Sequence, residues 1–207
     1  MKTKNILFCL FFLVYSISVS AQRKVKEVTA SNDYIPSDAY ISVGTGINYN
    51  TGIIGVQFEK KLSENVSGYI GAGFGTWGNK ITIGGRYYYG AASNSALSFS
   101  YSYVTGSKGL NGNLIVVDST HQSQGKTVTV NYDLLAVNTI NLSWLKYWKM
   151  GKKSRFNIEL GYSILLNTSG DNYTIKDPVV LTDASIKALQ ILQPGGLIVG
   201  IGFSFGL

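Results

Sequence analysis

The sequence has 207 residues, which is the size of a single domain, and a formal net charge of +7. Its basic residues are scattered, and the densest clusters fall in an expected tail or in expected turns, which argues against nucleic-acid binding. The composition includes 24 glycines and 14 tyrosines but only 3 prolines. This balance is typical of a β-barrel in which small residues line a narrow lumen and aromatic residues lie at the two membrane interfaces.

Residues 1–21 have the organisation of a secretory signal peptide. Two lysines precede an apolar run at 6–14, and small residues lead to an expected cleavage after Ala21. The run is shorter than the roughly 20 residues that a membrane-spanning helix needs. A lipoprotein signal at Cys9 is the less favoured alternative, because Phe8 stands where lipidation signals need a small residue. Cys9 is the only cysteine, so the mature chain has no disulfide and no thiolate chemistry.

Residues 22–39 are polar and show no periodicity, which predicts a flexible periplasmic tail. Residues 40–207 then form the expected barrel domain. Within it, bulky apolar residues alternate with small or polar ones, and successive side chains of a β-strand point to opposite faces. The eight strands predicted in this way are 40–49, 53–60, 66–77, 81–89, 96–105, a strand within 131–147, 155–166 and 197–207.

The last predicted strand shows the pattern most clearly. On one face Leu197, Val199, Ile201, Phe203, Phe205 and Leu207 alternate with Ile198, Gly200, Gly202, Ser204 and Gly206 on the other. Neither face carries a charge. Such a strand is typical of a transmembrane barrel, with lipid outside and a tightly filled lumen inside. The fold class is therefore predicted as all-β, an eight-stranded antiparallel up-and-down transmembrane β-barrel.

The register of the strand within 131–147 is left open by the sequence. Ile140, Leu142 and Trp144 indicate one parity, whereas Leu135 and Val137 indicate the other. A β-bulge would reconcile the two sets. In the first strand, Tyr49 is expected to face outward together with the other odd-numbered residues.

The connections between the predicted strands alternate in length. Short turns at 61–65, 90–95 and 149–154 lie on the side of both termini, which is expected to be periplasmic. Two long loops, 106–126 and 167–193, lie on the opposite, extracellular side. In the first loop, 114–117 is expected to pair with 127–130 as a hairpin beyond the membrane.

The segment 183–192 of the second long loop has two open interpretations. It has helical spacing, with Ile186, Leu189 and Leu192 on one face, and would then pack over the barrel mouth. Alternatively, the segment is an extended rim of the last strand. The sequence does not choose between them.

Three charged residues, Glu59, Arg86 and Glu159, fall at predicted lumen positions. An unpaired charge is costly to bury, so we expect these residues to form ion pairs that fill the lumen. Arg86 is the only inward cation expected among the strands whose position the sequence defines. The alternative is a narrow pore for ions or small solutes, in which exchange of ion pairs opens a path for water.

One loop sequence contains residue types that are common in catalytic sites. Asp118, Ser119 and the only histidine, His121, are close in the first long loop and raise the alternative of an outer-membrane lipid-modifying enzyme. Adjacency in a loop is not the geometry of a catalytic triad, so we expect no enzymatic activity. We also expect no metal and no cofactor, because one histidine and no mature cysteine leave no set of ligands.

A secreted soluble barrel of the lipocalin type is the main rival fold. It would need an apolar lumen and a polar exterior. In this sequence the bulky face would overfill the lumen of an eight-stranded barrel. A membrane barrel with its bulky face toward lipid is therefore the favoured interpretation.

The leader, the eight strands and the closing segment Leu197–Leu207 resemble the small eight-stranded outer-membrane barrels of the OmpA/OmpX type. The cleavage region Ser-Ala-Gln also resembles exported proteins of Bacteroidota. Members of the barrel family usually end in Phe, whereas this chain ends in Leu207 with Phe205 two residues before it.

The resemblance implies a location in the outer membrane of a Gram-negative bacterium, surrounded by membrane lipid and lipopolysaccharide. It also implies that the barrel-insertion machinery reads the segment Leu197–Leu207. A structural or surface-interaction role through the loops 106–126 and 167–193, which would contact an extracellular partner, is the expected function.

Overall fold

A computed structural model describes residues 35–90, 93–118, 121–166 and 171–207. The predicted signal peptide and most of the predicted tail lie outside these residues. The described elements are β1 (Ala39–Ile47), β2 (Ile54–Lys61), β3 (Val66–Phe74), β4 (Asn79–Tyr89), β5 (Ser95–Val104), β6 (Ser107–Asp118), β7 (His121–Leu134), β8 (Val137–Met150), β9 (Ser154–Leu165), β10 (Tyr173–Ile175), α1 (Asp183–Leu192) and β11 (Gly196–Gly206).

Eight of the strands form a closed antiparallel barrel in the order β1-β2-β3-β4-β5-β8-β9-β11. The barrel closes where β11 pairs with β1, for example at Val43 and Phe203. Strands β6, β7 and β10 form a separate three-stranded sheet. The predicted all-β class and the closed eight-stranded barrel are therefore confirmed.

The two ends of the barrel differ in what they carry. One end, the turn end, holds the start of β1, the end of β11 and the short connections after β2, β4 and β8. The other, the loop end, holds the connections at 48–53 and 75–78, the β6–β7 hairpin, and the segment that contains β10 and α1. The predicted turn at 149–154 is shorter than expected because β8 continues to Met150.

The predicted alternation of side chains holds in the barrel strands. Inward positions are largely buried, and most are small or polar, with apolar exceptions such as Val137, Leu145 and Ile198. Most outward positions are bulky and apolar. The exposed apolar residues on the outer face are Ile41, Val43, Ile47, Ile54, Val56, Phe58, Val66, Ile70, Phe74, Ile81, Ile83, Tyr87, Tyr89, Leu97, Phe99, Tyr101, Tyr103, Leu142, Trp148, Leu160, Tyr162, Ile164, Leu197, Val199, Ile201, Phe203 and Phe205.

Tyr49 is an exception, and its predicted outward orientation is wrong. β1 ends at Ile47, and Asn48 has a left-handed backbone with a φ of 50°. The chain turns into the lumen at this point, so Tyr49 is only 3% exposed. Strict alternation cannot continue past the residue at which the strand ends.

The strand predicted within 131–147 divides between two elements. Residues 131–134 belong to β7, and β8 begins at Val137. β8 pairs with β5 without interruption from Val137 to Lys146, so the bulge considered above is not needed there. Val137 faces inward because it packs with Trp77 and Val104 in an apolar cluster at the rim of the barrel.

The β6–β7 hairpin confirms the predicted pairing of 114–117 with 127–130. Leu114 lies opposite Val128, and Ile115 lies opposite Thr127. The hairpin is longer than predicted, since its strands run from Ser107 to Leu134. β10 pairs with the other edge of β7.

The segment 183–192 forms the helix α1, which packs against β6. Leu189 lies in an apolar cluster with Val116, Val130 and Leu181. The C-terminus of the helix reaches the β3–β4 turn, where the Thr76 hydroxyl donates to the carbonyl of Leu192 at 3.2 Å. No helix in the described part of the chain is long and apolar enough to cross a membrane.

Candidate functional site: the barrel lumen and its two ends

Near the turn end, Glu59 is the centre of a buried network, here called the Glu59 cluster (Glu59, Ser67, Arg86, Tyr88 and Arg155). Its Oε2 accepts from Arg86 Nη1 at 2.5 Å and from Arg155 Nη2 at 2.8 Å. Its Oε1 accepts from the hydroxyls of Ser67, at 2.7 Å, and Tyr88. One carboxylate therefore binds two guanidinium groups.

Aromatic rings hold the two guanidinium groups in place. Arg86 Cζ lies 4.4 Å from the ring centroid of Tyr69. Arg155 Cζ lies 3.8 Å from that of Tyr40 and 4.4 Å from that of Tyr147. Cation–π contacts of this kind are stronger away from water, so the rings stabilise the cations that the lumen buries.

The sequence analysis places Arg155 at the start of the predicted strand 155–166 but does not count it among the inward charges. β9 begins at Ser154, and Arg155 therefore has the same inward parity as Asn157 and Glu159. Extending the alternation by one pair of residues would have found it. Lys80 is also buried on the inward face of β4, so the expectation of a single inward cation is wrong.

Glu159 lies in the lumen as expected but does not share the Glu59 cluster. Its Oε1 accepts from Asn50 Nδ2 and from Ser143 Oγ, both at 2.6 Å. Within the residues that the structure describes, no lysine or arginine nitrogen lies within 4.0 Å of its carboxylate. Of the three predicted lumen charges, the structure brings together Glu59 and Arg86 and leaves Glu159 apart.

At the loop end, residues 48–53, here called the inner loop, fold back into the lumen. Tyr49, Asn50 and Thr51 are all at most 3% exposed. Lys80 Nζ donates to the backbone carbonyls of Asn48, at 3.2 Å, and Tyr49, at 3.0 Å. The inner loop thus closes the barrel from within and is anchored by the lysine.

Glycines on the strands leave the space that the Tyr49 ring occupies. A Cβ atom at Gly200 would lie 2.1 Å from Tyr49 Cδ2, and one at Gly44 would lie 2.2 Å from Tyr49 Cε1. Real Cβ atoms do not approach other heavy atoms so closely. The glycine-rich inner face of β1 and β11 therefore makes room for the inner loop.

Polar side chains fill the middle of the lumen. Asn141 Nδ2 donates to Ser102 Oγ at 2.8 Å and to Ser100 Oγ at 3.1 Å, and Asn141 Oδ1 accepts from Ser163 Oγ at 2.6 Å. Ser100 in turn donates to Asn50 of the inner loop at 3.2 Å. Hydrogen bonds of this kind offset the cost of burying polar groups, and they link the middle of the lumen to the inner loop.

The loop residues Asp118 and His121 fall at the tip of the β6–β7 hairpin. Asp118 ends β6 and lies opposite His121, which begins β7. Ser119 lies outside the described residues. The described residues contain no group of three or more His, Cys, Asp or Glu side chains that could hold a metal ion.

The sheet at the loop end carries one ion pair of its own. The Asp133 carboxylate accepts from the backbone N–H of Gly109 at 2.7 Å and lies 3.0 Å from Lys176 Nζ. The hydrogen bond from Gly109, followed by the contacts with Lys176, lowers the pKa of Asp133 from its usual value. The pair joins β7 to the segment that follows β10.

Two comparisons of the sequence with known proteins found no match. The sequence matches no protein-family model. It also matches none of the curated proteins searched. The assignment of a function therefore depends on the barrel, its lumen and its loop end.

Proposed function

We propose that this protein is an integral barrel of a Gram-negative outer membrane, with a closed lumen and a structural or surface-interaction role. The chain is exported by its cleaved leader in this proposal. The turn end faces the periplasm, and the loop end faces the outside. We propose no enzymatic activity.

A single observation carries the proposal: the barrel is apolar outside and polar inside. Bulky side chains such as Phe99 (60% exposed) and Ile83 (61% exposed) cover the outer face of neighbouring strands. A monomeric soluble protein seldom exposes apolar patches larger than a few hundred Å². Lipid is the medium that suits such a surface around a closed barrel, which has no free strand edge.

The filled lumen argues against the alternative of a narrow pore. The Glu59 cluster blocks the turn end, and the inner loop occupies the loop end. An eight-stranded barrel is just wide enough to be filled by its own side chains. Conduction would require the inner loop to leave the lumen and Lys80 to lose its two carbonyl partners.

The loop end supports the interaction role because it is a folded surface of substantial size. The sheet of β6, β7 and β10 and the helix α1 have a shared apolar core. Exposed apolar side chains remain on this surface, including Val180 at 69% and Ile191 at 83%. Binding residues are often found on segments that a rigid scaffold positions.

Other contacts follow from the location. Membrane lipid surrounds the apolar belt, lipopolysaccharide lies around the loop end, and the insertion machinery reads Leu197–Leu207 in this proposal. The support for the last contact is that β11 closes the barrel against β1.

Fractionation and heat-modifiable gel mobility test the location. We expect the protein to be extracted only by detergent from outer membranes and to migrate differently before and after boiling. Recovery of the folded protein in the soluble periplasmic fraction would contradict the proposal.

Conductance in planar bilayers tests the closed lumen. We expect the purified protein to stay near background, and Arg86→Ala to stay there too while losing thermal stability. The inner loop still closes the other end in that variant. Large and stable channels in either protein would overturn the closed-lumen assignment.

Binding assays with loop deletions test the interaction role. Deletion of residues 167–193 removes β10 and α1, whereas deletion of 106–126 removes most of the hairpin. The assay uses a surface to which cells with the parent protein adhere. We expect each deletion to reduce this adhesion, while the variant still migrates differently on a gel before and after boiling. Equal adhesion by both deletion variants and the parent would contradict the role.

A further inference from the structure

The charges buried in the lumen do not balance. The buried charged side chains in the described part of the chain are Lys80, Arg86, Arg155, Glu59 and Glu159, which gives three cations and two anions. The excess lies at the turn end, because Arg86 and Arg155 share the single carboxylate of Glu59. An uncompensated charge in a buried site is costly and attracts an ion of opposite sign.

A pocket of about 230 Å³ opens at this end of the barrel, next to Arg155. Its charged lining residues are Lys61, Lys149 and Arg155, and no acidic residue is among the lining. Tyr40, Tyr88 and Tyr147 form its aromatic wall. The pocket therefore combines a buried guanidinium, which is packed against tyrosine rings, with two lysines that are more accessible to water.

Arg155 also keeps an unused donor. Its Nη2 binds Glu59, but its buried Nε has no hydrogen-bond partner. The residue is only 6% exposed, so bulk water does not readily satisfy this N–H. A buried donor without a partner costs roughly 1–3 kcal/mol and is rare in native structures.

We propose that this pocket binds a small oxyanion, a phosphate or a carboxylate group. The guanidinium of Arg155 is the anchor, and the ammonium groups of Lys61 and Lys149 stand at the mouth. An oxyanion would supply the missing negative charge next to the guanidinium of Arg155. Charge-assisted hydrogen bonds between guanidinium and oxyanion are among the strongest in proteins. The ligand is either a free solute or the headgroup of an anionic lipid.

Titration with inorganic phosphate at constant ionic strength tests the site. The chain, folded in micelles of a zwitterionic detergent, is followed by amide chemical shifts. We expect saturable shifts at the residues that line the pocket. The double variant Lys61→Gln/Lys149→Gln is expected to weaken phosphate binding by about tenfold or more.

The double variant Lys152→Gln/Lys153→Gln is a matched control. Both residues are exposed in the turn between β8 and β9, outside the pocket lining, and the change in net charge is the same. Phosphate affinity should change by less than about twofold in the control, because screened surface charges contribute little. Equal weakening by the two double variants, or no saturable binding by the parent, would overturn the site.

Nanodiscs distinguish the two sources of the oxyanion. In discs of phosphatidylcholine alone, phosphate is expected to bind as in micelles. Loss of phosphate binding when phosphatidylglycerol is added assigns the pocket to a lipid headgroup, whereas unchanged binding assigns it to a free solute. Failure of phosphate to bind in either disc would contradict the site, and it would leave the membrane location of the barrel unaffected.

Discussion

The barrel lumen and the loop-end sheet bury opposite kinds of side chain. The lumen is filled by hydrogen-bonded polar side chains around Glu59 and Asn141, and the apolar residues of the same strands are on the outside. The loop-end sheet buries Val116, Val130 and Leu189 and exposes its polar side chains. The same chain therefore has a mainly polar interior in the barrel and an apolar interior at the loop end.

The difference is the one that the proposed membrane location of the barrel would produce. A sheet in water gains stability when it buries apolar surface. A barrel in lipid would gain little from that, so polar side chains can fill its interior if most of their buried groups form hydrogen bonds. The change occurs at the rim, where Trp77 of the barrel packs with Leu134 of the hairpin.

Removal of the Glu59 carboxylate is expected to have the largest effect. Glu59→Ala leaves Arg86 and Arg155 without their shared acceptor, and breaking such a buried pair costs about 3–5 kcal/mol. Urea unfolding of the protein in lipid vesicles measures the loss. Glu159→Gln is the control, because no described cation forms an ion pair with Glu159. An equal loss of stability in both variants would show that the ion pairs of Glu59 do not contribute the expected stability.

Truncation of a side chain in the apolar core at the loop end is expected to cause the second-largest loss of stability. Leu189→Ala removes a fully buried side chain of α1, at a cost of about 2–5 kcal/mol. We expect faster amide exchange in β6, β7 and α1 while the barrel strands stay protected. Ile191→Ala, on the same helix but exposed, should change exchange little. Equal loss of protection in the barrel would contradict a separate core.

Filling the space of the Tyr49 ring is expected to have an intermediate effect. Gly200→Ala places a methyl group against the ring and should cost about 1–3 kcal/mol by overpacking. In a Tyr49→Ala background the same substitution should cost much less, because the two residues are coupled. Unfolding of the four proteins in this cycle measures the coupling.

Gly85→Ala serves as the control for that cycle. A Cβ atom there would meet its nearest neighbour, the Ser67 carbonyl oxygen, at 3.5 Å, which is ordinary contact. Stability should be close to that of the parent with or without Tyr49. If Gly200→Ala behaves like Gly85→Ala, the Tyr49 ring does not occupy the lumen as described.

Acidification is expected to have the smallest effect, and only at the loop end. Folding lowers the pKa of Asp133, so its stabilising contribution is complete near neutral pH and above its unfolded pKa, about 4. That contribution is lost as the pH falls through the lower folded value. Amide exchange at Gly109 should accelerate over this range relative to other sheet amides. The Asp133→Asn variant should show no such dependence.

Much of the barrel could be predicted from alternation alone. The parity of β2, β4, β5, β9 and β11 follows from residues such as Phe58, Ile83 and Phe203, since a strand offers only two faces. Glu59, Arg86 and Glu159 were assigned to the lumen by the same rule. Alternation fails at Tyr49 because it does not define where a strand ends. Arg155, in contrast, has the inward parity of its predicted strand and follows from the same rule.

The sequence by itself determined which face most barrel residues occupy, because the two-residue period of a strand is local and the outward faces are mostly apolar. Only the tertiary structure decided how the interior is arranged. The pairing of Glu59 with both Arg86 and Arg155 joins residues up to 96 positions apart in the chain. The entry of Tyr49 into the space beside Gly200 depends on closure of β1 against β11. Such contacts depend on three-dimensional distance, and no local period encodes them.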